Sequence, residues 1–193
     1  YPKVKITKEM AEEREDLKPY VDGELTVIAW LWARTVKSPT PAFSHADVPL
    51  ASSFVLSSKK GKEAYVQPVV DRDSYHFQVK IGKPPAEAKN GTKTSRGTNF
   101  NCLLSDTPIH GDHVKQQGKD GVMSSRLMAV VVEGKKGRVY LSPTKEMQMV
   151  ATTAEPTWVP DTPIGSDKRA LWTPPYGLKK FGDLFTPRQL VGL

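Results

Sequence analysis

The feature that most constrains this chain is the apolar run from Leu25 to Val36, which carries Trp30 and Trp32 and ends at the knuckle Lys37-Ser38-Pro39-Thr40-Pro41. Aromatic and β-branched residues at this density predict a strand with both faces buried. Proline, which has no N–H to donate, ends the ladder at the knuckle. Any fold for this sequence must therefore pair and cover that strand, so the rest of the chain is read for partners.

Hairpin signals recur on both sides of it. Val48–Leu56 reads as a second strand, Lys59-Lys60-Gly61-Lys62 as a turn and Glu63–Val70 as the strand that pairs back. Tyr75-His76-Phe77-Gln78-Val79-Lys80-Ile81 alternates apolar and polar with period two, which predicts a half-buried strand. Arg126–Glu133 predicts a buried strand, Gly134-Lys135-Lys136-Gly137 its turn and Arg138–Leu141 the partner. Helical signals are fewer. Met10–Lys18 predicts one short solvated helix ending before Pro19, and Ser142-Pro143-Thr144 caps a helix over Lys145–Thr153. Thr186, Pro187 and Gln189 supply the cap, the first turn and the capping box of another. Residues 82–99 read as a loop, His110-Gly111-Asp112-His113 as an exposed turn, and 155–175, with five prolines, as an extended connector rather than a packed element.

The expected fold is α+β and β-rich, built of ribbon-like antiparallel hairpins with short flanking helices. The expected segments are 1–24, a charged helix and linker; 25–143, the β-rich domain; and 144–193, a helix, the Pro-rich connector and the start of a helix. Leu190 and Leu193 open an apolar stripe in the last residues, and position 1 is not Met. Both points lead to the expectation that this is part of a longer protein.

Charge and cysteine content narrow the chemistry. Lys and Arg number 28 against 21 Asp and Glu, a net +7, which favours polyanionic partners such as DNA or RNA. The basic residues gather in predicted turns and loops: Lys59, Lys60 and Lys62; Lys93 and Arg96, with Lys83 and Lys89; Lys135, Lys136 and Arg138. There they suit phosphate contacts, and equally serve as solubility charge on hairpin tips. One cysteine, Cys102, excludes an internal disulfide and a multi-cysteine zinc site, and fits a reducing cytoplasm. No apolar run approaches the roughly 20 residues of a membrane helix.

Catalytic signals are thin. There is no G-x-G turn for a nucleotide-like cofactor. Thr173-Pro174-Pro175-Tyr176 looks like the Pro-Pro-aromatic tetrad with which adenine methylases hold a flipped base. Threonine is a poor first residue for it, and the setting is Pro-rich. His110, Asp112 and His113 are acceptable metal ligands by type, but their polar, Gly-flanked setting favours an exposed turn. No catalytic residue and no metal ligand is assigned.

Several ordered stretches resemble the zinc-ribbon family of adenine-specific DNA methylases. They are Leu31–Val36 with Pro39; Lys59-Lys60-Gly61-Lys62; Gly91-Thr92 to Cys102; Arg126–Val131; Gly137-Arg138-Val139-Tyr140-Leu141 with Pro143-Thr144; and Tyr176-Gly177-Leu178 to Leu190. In that family the knuckles supply cysteine ligands. Here Ser38 stands where the first is expected, and Cys102 with Ser105 looks like the relic of a second. The resemblance implies a ribbon that kept its hairpins and lost its zinc, with Trp30, Trp32, Phe43, Phe54 and Phe100 burying the surface that replaces it; Cys102 read alone is a small buried hydrophobe. It further implies a parent S-adenosylmethionine-dependent methyltransferase of bacterial restriction or anti-phage systems. This segment would lie between the parent's cofactor motif and its catalytic tetrad, contacting DNA and not catalysing alone. No cofactor is expected in the segment itself, though Phe185-Thr186-Pro187 resembles an aromatic-Thr-Pro element that helps bind the cofactor. The partners implied are DNA, the rest of the parent and other defence proteins. A protein-docking module and an inert insert are the alternatives.

Overall fold

The computed structural model describes residues 2–94, 96–165, 167 and 171–192. In chain order its elements are β1 (Lys3–Lys5), α1 (Lys8–Ala11), β2 (Glu24–Lys37), β3 (Asp47–Leu50), β4 (Val55–Ser57), β5 (Ala64–Asp71), β6 (Ser74–Ile81), β7 (Phe100–Asn101) and β8 (Pro108–Ile109). There follow α2 (Gly111–Lys119), β9 (Ser124–Gly134), β10 (Gly137–Leu141), α3 (Lys145–Thr152) and α4 (Pro187–Val191). Every recorded strand pair is antiparallel, and strand outweighs helix by 34% to 24%. The α+β, β-rich expectation is met. The chain forms two compact units, neither a single stretch of sequence: residues 1–33, 51–91 and 126–143 make the first, and 34–50, 92–125 and 144–193 the second.

In the first unit β9 lies between β2 and β10, and β1 pairs with β2. A three-stranded sheet, β4-β5-β6, accompanies them. Its β5–β6 ladder runs unbroken from Ala64↔Ile81 to Asp71↔Ser74. Period-two alternation sends Tyr75, Phe77 and Val79 inward, where Phe77 meets Tyr75 edge-on at 5.3 Å. Leu127, Ala129, Val130, Val131 and Val132 bury most of β9. Two arginines tie these layers together. The Arg14 guanidinium donates to Val79 O and Tyr140 O while gripping both oxygens of Asp16 at 2.8 Å. Arg126 lies 4.2 Å over the Tyr75 ring and donates to Tyr75 O.

Arg14 also accounts for one correction. The helix expected over Met10–Lys18 is instead α1, capped by Thr7, and a separate 3-10 turn over Glu15–Tyr20 that contains Pro19. The inward-drawn Arg14 sits between them in non-helical backbone. The long apolar strand is buried less evenly than expected: Val27 and Ala33 are buried, whereas Trp30 and Trp32 are half-buried and Ile28 is exposed. Val48–Leu56 is two strands, β3 and β4, because residues 51–54 leave the ladder and Phe54 pairs its main chain with Ala88 and Val66.

In the second unit the last four residues of β2 pair with β3, and β7 with β8. Val36, Val48, Phe100, Cys102, Ile109 and Val114 form its core. The His110–His113 turn is a correction as well. His110 is the N-cap residue of α2, a helix with one buried side chain, Val114. Its placement rests on two glycines. A Cβ on Gly118 would stand 2.1 Å from Tyr176 O, and Gly177, at φ +84°, would place one 2.0 Å from Gly118 O. The supposed connector is packed in part: Ile164 is buried, and residues 160–164 hydrogen-bond with 179–182. Ser166 and Lys168–Ala170 of the connector, Ser95 of the loop and Leu193 of the apolar stripe lie outside the described residues.

Candidate nucleic-acid interface

Six of the eight sequence-predicted DNA-contacting residues, Lys59, Lys60, Lys62, Lys135, Lys136 and Arg138, fall in the first unit, on two turns that meet. Lys135 and Lys136 form the tip of the β9–β10 hairpin, where Gly137 takes φ +117°. Lys59–Lys62 closes β4 to β5, with Lys62 N–H bonded to Lys59 O. The Lys62 ammonium donates to Lys136 O, and the Lys135 N–H donates to the Tyr20 hydroxyl at 3.0 Å. Tyr140 on β10 donates its hydroxyl to Leu56 O. Between the turns lies a hollow of about 420 Å³, lined by Lys62, Lys135, Lys136 and Arg138 together with Tyr20 and Tyr140. Its carboxylates are Asp16 and Glu63. Asp16 is neutralised by Arg14, which leaves Glu63 alone against four cations. Such a surplus at a concave site raises the local concentration of anions.

Lys93 and Arg96 belong to the second unit. Lys93 is half-buried and bridges to Phe100, while Arg96 is exposed with its carbonyl accepting from Asn99. The structure therefore assembles six of the predicted cations in one unit and leaves two in the other.

The knuckle residues come together in the second unit. Ser38 Oγ lies 3.2 Å from Cys102 Sγ, and Thr40 N–H donates to Ser38 Oγ. Thr40 Oγ1 lies 2.8 Å from Ser105 Oγ and donates to Thr107 Oγ1. The 102–107 loop closes on itself through Cys102 N–H to Thr107 O and Asp106 N–H to Cys102 O, with Asp106 at φ +55°. Burial pushes the Cys102 thiol up. Hydrogen bonds from Ser105, Ser38 and the N–H groups of Leu104 and Ser105 outweigh it and leave the thiol below its ordinary range. One thiol and several hydroxyls thus satisfy each other on an apolar floor. Of the aromatics expected to replace a metal, Phe54 and Phe100 are buried, while Trp30, Trp32 and Phe43 are half-buried.

The remaining candidates are occupied by structural work. His113 Nε2 bonds to Lys37 O and Gln117 accepts from Lys37 N–H, so these two side chains, one helical turn apart, engage both main-chain polar groups of the last residue of β2. Asp112 pairs with Lys115, and His110 is exposed. No group of three or more His, Cys, Asp or Glu is placed to hold a metal among the described residues. Thr173–Tyr176 is a 3-10 turn whose Tyr176 packs on the core and shares a hydrogen bond with Thr98. Thr186 and Gln189 make the expected capping box, which engages the Thr186 hydroxyl; Phe185 stands partly exposed beside it.

No family model, no curated protein and no solved structure matches this chain. Sequence reasoning missed Tyr20, Tyr140 and the Arg14–Asp16 pair. A signal for Tyr140 was present: strand alternation sets it on the same face as Arg138. Tyr20 carries none, because its partner Lys135 is distant in sequence, and nothing local shows that Arg14, beside Asp16, also reaches the carbonyls of Val79 and Tyr140 more than sixty residues away.

Proposed function

We propose that this chain is a DNA-contacting region of an S-adenosylmethionine-dependent, adenine-specific DNA methyltransferase and does not catalyse methyl transfer alone. The observation that carries the reading is the convergence of the 59–62 and 135–138 turns on one cationic hollow. Phosphate contacts from such a surface give affinity without sequence preference, positioning DNA for a catalytic centre supplied by the rest of the parent. The paired loops at Ser38 and Cys102 support the lineage, since two facing knuckles are what a ribbon retains when hydrogen bonds replace its metal. The cofactor site would lie in the remainder of the parent, and the single cysteine, being buried, accords with a cytoplasmic setting. The test is duplex-DNA binding by the 193-residue chain across a salt series. Affinity that falls steeply with salt supports the reading, and its absence near micromolar protein removes it.

A second reading has an observation of its own. Met149, Val150, Trp158 and Trp172 are all more than half exposed in the second unit, which favours a docking module within a restriction or anti-phage complex. Under that reading the chain binds protein and shows no salt-dependent affinity for DNA.

A further inference from the structure

We infer that the hollow between the two basic turns holds one unstacked nucleotide of the bound DNA; the inference rests on the DNA-contacting reading and specifies what that surface takes. Duplex phosphates need only exposed cations, and Lys59 and Lys60 supply those on the rim of the same turn. The hollow offers more. Its volume of about 420 Å³ falls within the roughly 300–1,000 Å³ of small-molecule sites. Tyr20, Tyr140, Val139 and Ile81 give it an apolar interior, while Lys62, Lys135, Lys136 and Arg138 give it the charge for a phosphate. That is the pairing of aromatic ring and cation on which unpaired bases are held, since every base has a π-face.

The walls are fixed before anything binds. Tyr20 is held by the Lys135 N–H, Tyr140 by Leu56 O, and the Tyr140 main chain by Arg14. Lys62 spends one of its three ammonium donors on Lys136 O, and two remain for a phosphate. The hollow is open to solvent, and its volume of about 420 Å³ is on the scale of a single extruded nucleotide rather than of a stacked base pair. Preorganised walls also limit the ordering cost of its capture.

Three 20-base-pair duplexes test this with the 193-residue chain: one fully paired, one with a single bulged thymidine, and one with an abasic nucleotide at the same bulge. The expected result is binding of the thymidine bulge about tenfold tighter than the paired duplex, with the abasic bulge within about twofold of the paired one. Tyr140→Leu should abolish the thymidine advantage, bringing the thymidine bulge to within about twofold of the paired duplex, while Tyr140→Phe, which keeps the ring, should retain it. Equal binding of the thymidine and abasic bulges by the unmodified chain would overturn the inference while leaving DNA contact standing. Failure of all three duplexes to bind in a salt-sensitive way would remove the inference and the DNA-contacting reading together.

Discussion

At Ser38 and Cys102 the polar atoms face each other in a closed cluster over Val36, Val48 and Ile109, whereas Lys62, Lys135, Lys136 and Arg138 surround an open hollow. Both places are made where strand ends turn back, yet they use their polar groups in opposite ways. In the first, each hydroxyl or thiol has a neighbour as partner, so removing one strands another. In the second, most of the charge is solvated and contributes little to folding, since exposed charges interact through water and salt. The contrast yields a rule for this molecule: substitutions around Cys102 should cost stability, and substitutions around Lys136 should cost binding.

The strongest way to break that contrast is through the glycines that seat α2. Gly177→Ala places a Cβ against Gly118 O at a left-handed φ, which combines backbone strain with a clash and should cost about 3 kcal/mol. Urea unfolding would report it, and a loss below about 1 kcal/mol would mean that the close approach of residues 118 and 177 is not maintained. Next comes the cluster itself. Ser38→Ala or Cys102→Ala should each cost about 1–3 kcal/mol by leaving a buried partner unsatisfied. The double variant should cost less than the sum, because neither polar atom is then stranded. Strict additivity in that cycle would show that the contact contributes nothing. A smaller effect is kinetic: Cys102 is 1% exposed, so iodoacetamide should modify it only through local opening, and Gly177→Ala should accelerate the reaction in step with its loss of stability. Fast labelling of the unmodified chain would deny that the cluster is closed. Smallest for stability is the triple substitution Lys135→Ala, Lys136→Ala and Arg138→Ala, expected to lie within about 0.5 kcal/mol per site.

What the sequence disclosed follows the range of the interactions involved. Hairpins with local turns were legible: Lys59–Lys62 marks the turn into β5, and Gly134–Gly137 and the alternation of Tyr75–Ile81 place their strands within a residue or two, although the break between β3 and β4 was not seen. So was the α4 cap, because Thr186, Pro187 and Gln189 act within one turn. Helix α2 was not, since its only buried side chain is Val114 and its seat depends on Tyr176 and Gly177, far along the chain. The break after α1 was hidden for the same reason, as Arg14, besides gripping Asp16, is drawn inward by the distant carbonyls of Val79 and Tyr140. At the candidate interface the cations were visible as clusters, and their division between the units was not. The hollow was invisible, because Tyr20 reaches it only through the folded chain.

The central claim is that the paired basic turns contact DNA phosphates. Its most direct measurement is the salt dependence of duplex binding for the 193-residue chain and for the Lys135→Ala, Lys136→Ala, Arg138→Ala variant, by fluorescence anisotropy between about 50 and 200 mM salt. The account predicts that the variant binds more weakly to every duplex sequence tested, with the slope of log affinity against log salt flattened by up to about 3, close to one unit per lost phosphate contact. An unchanged slope, with the variant folded as stably as the parent chain, would contradict it.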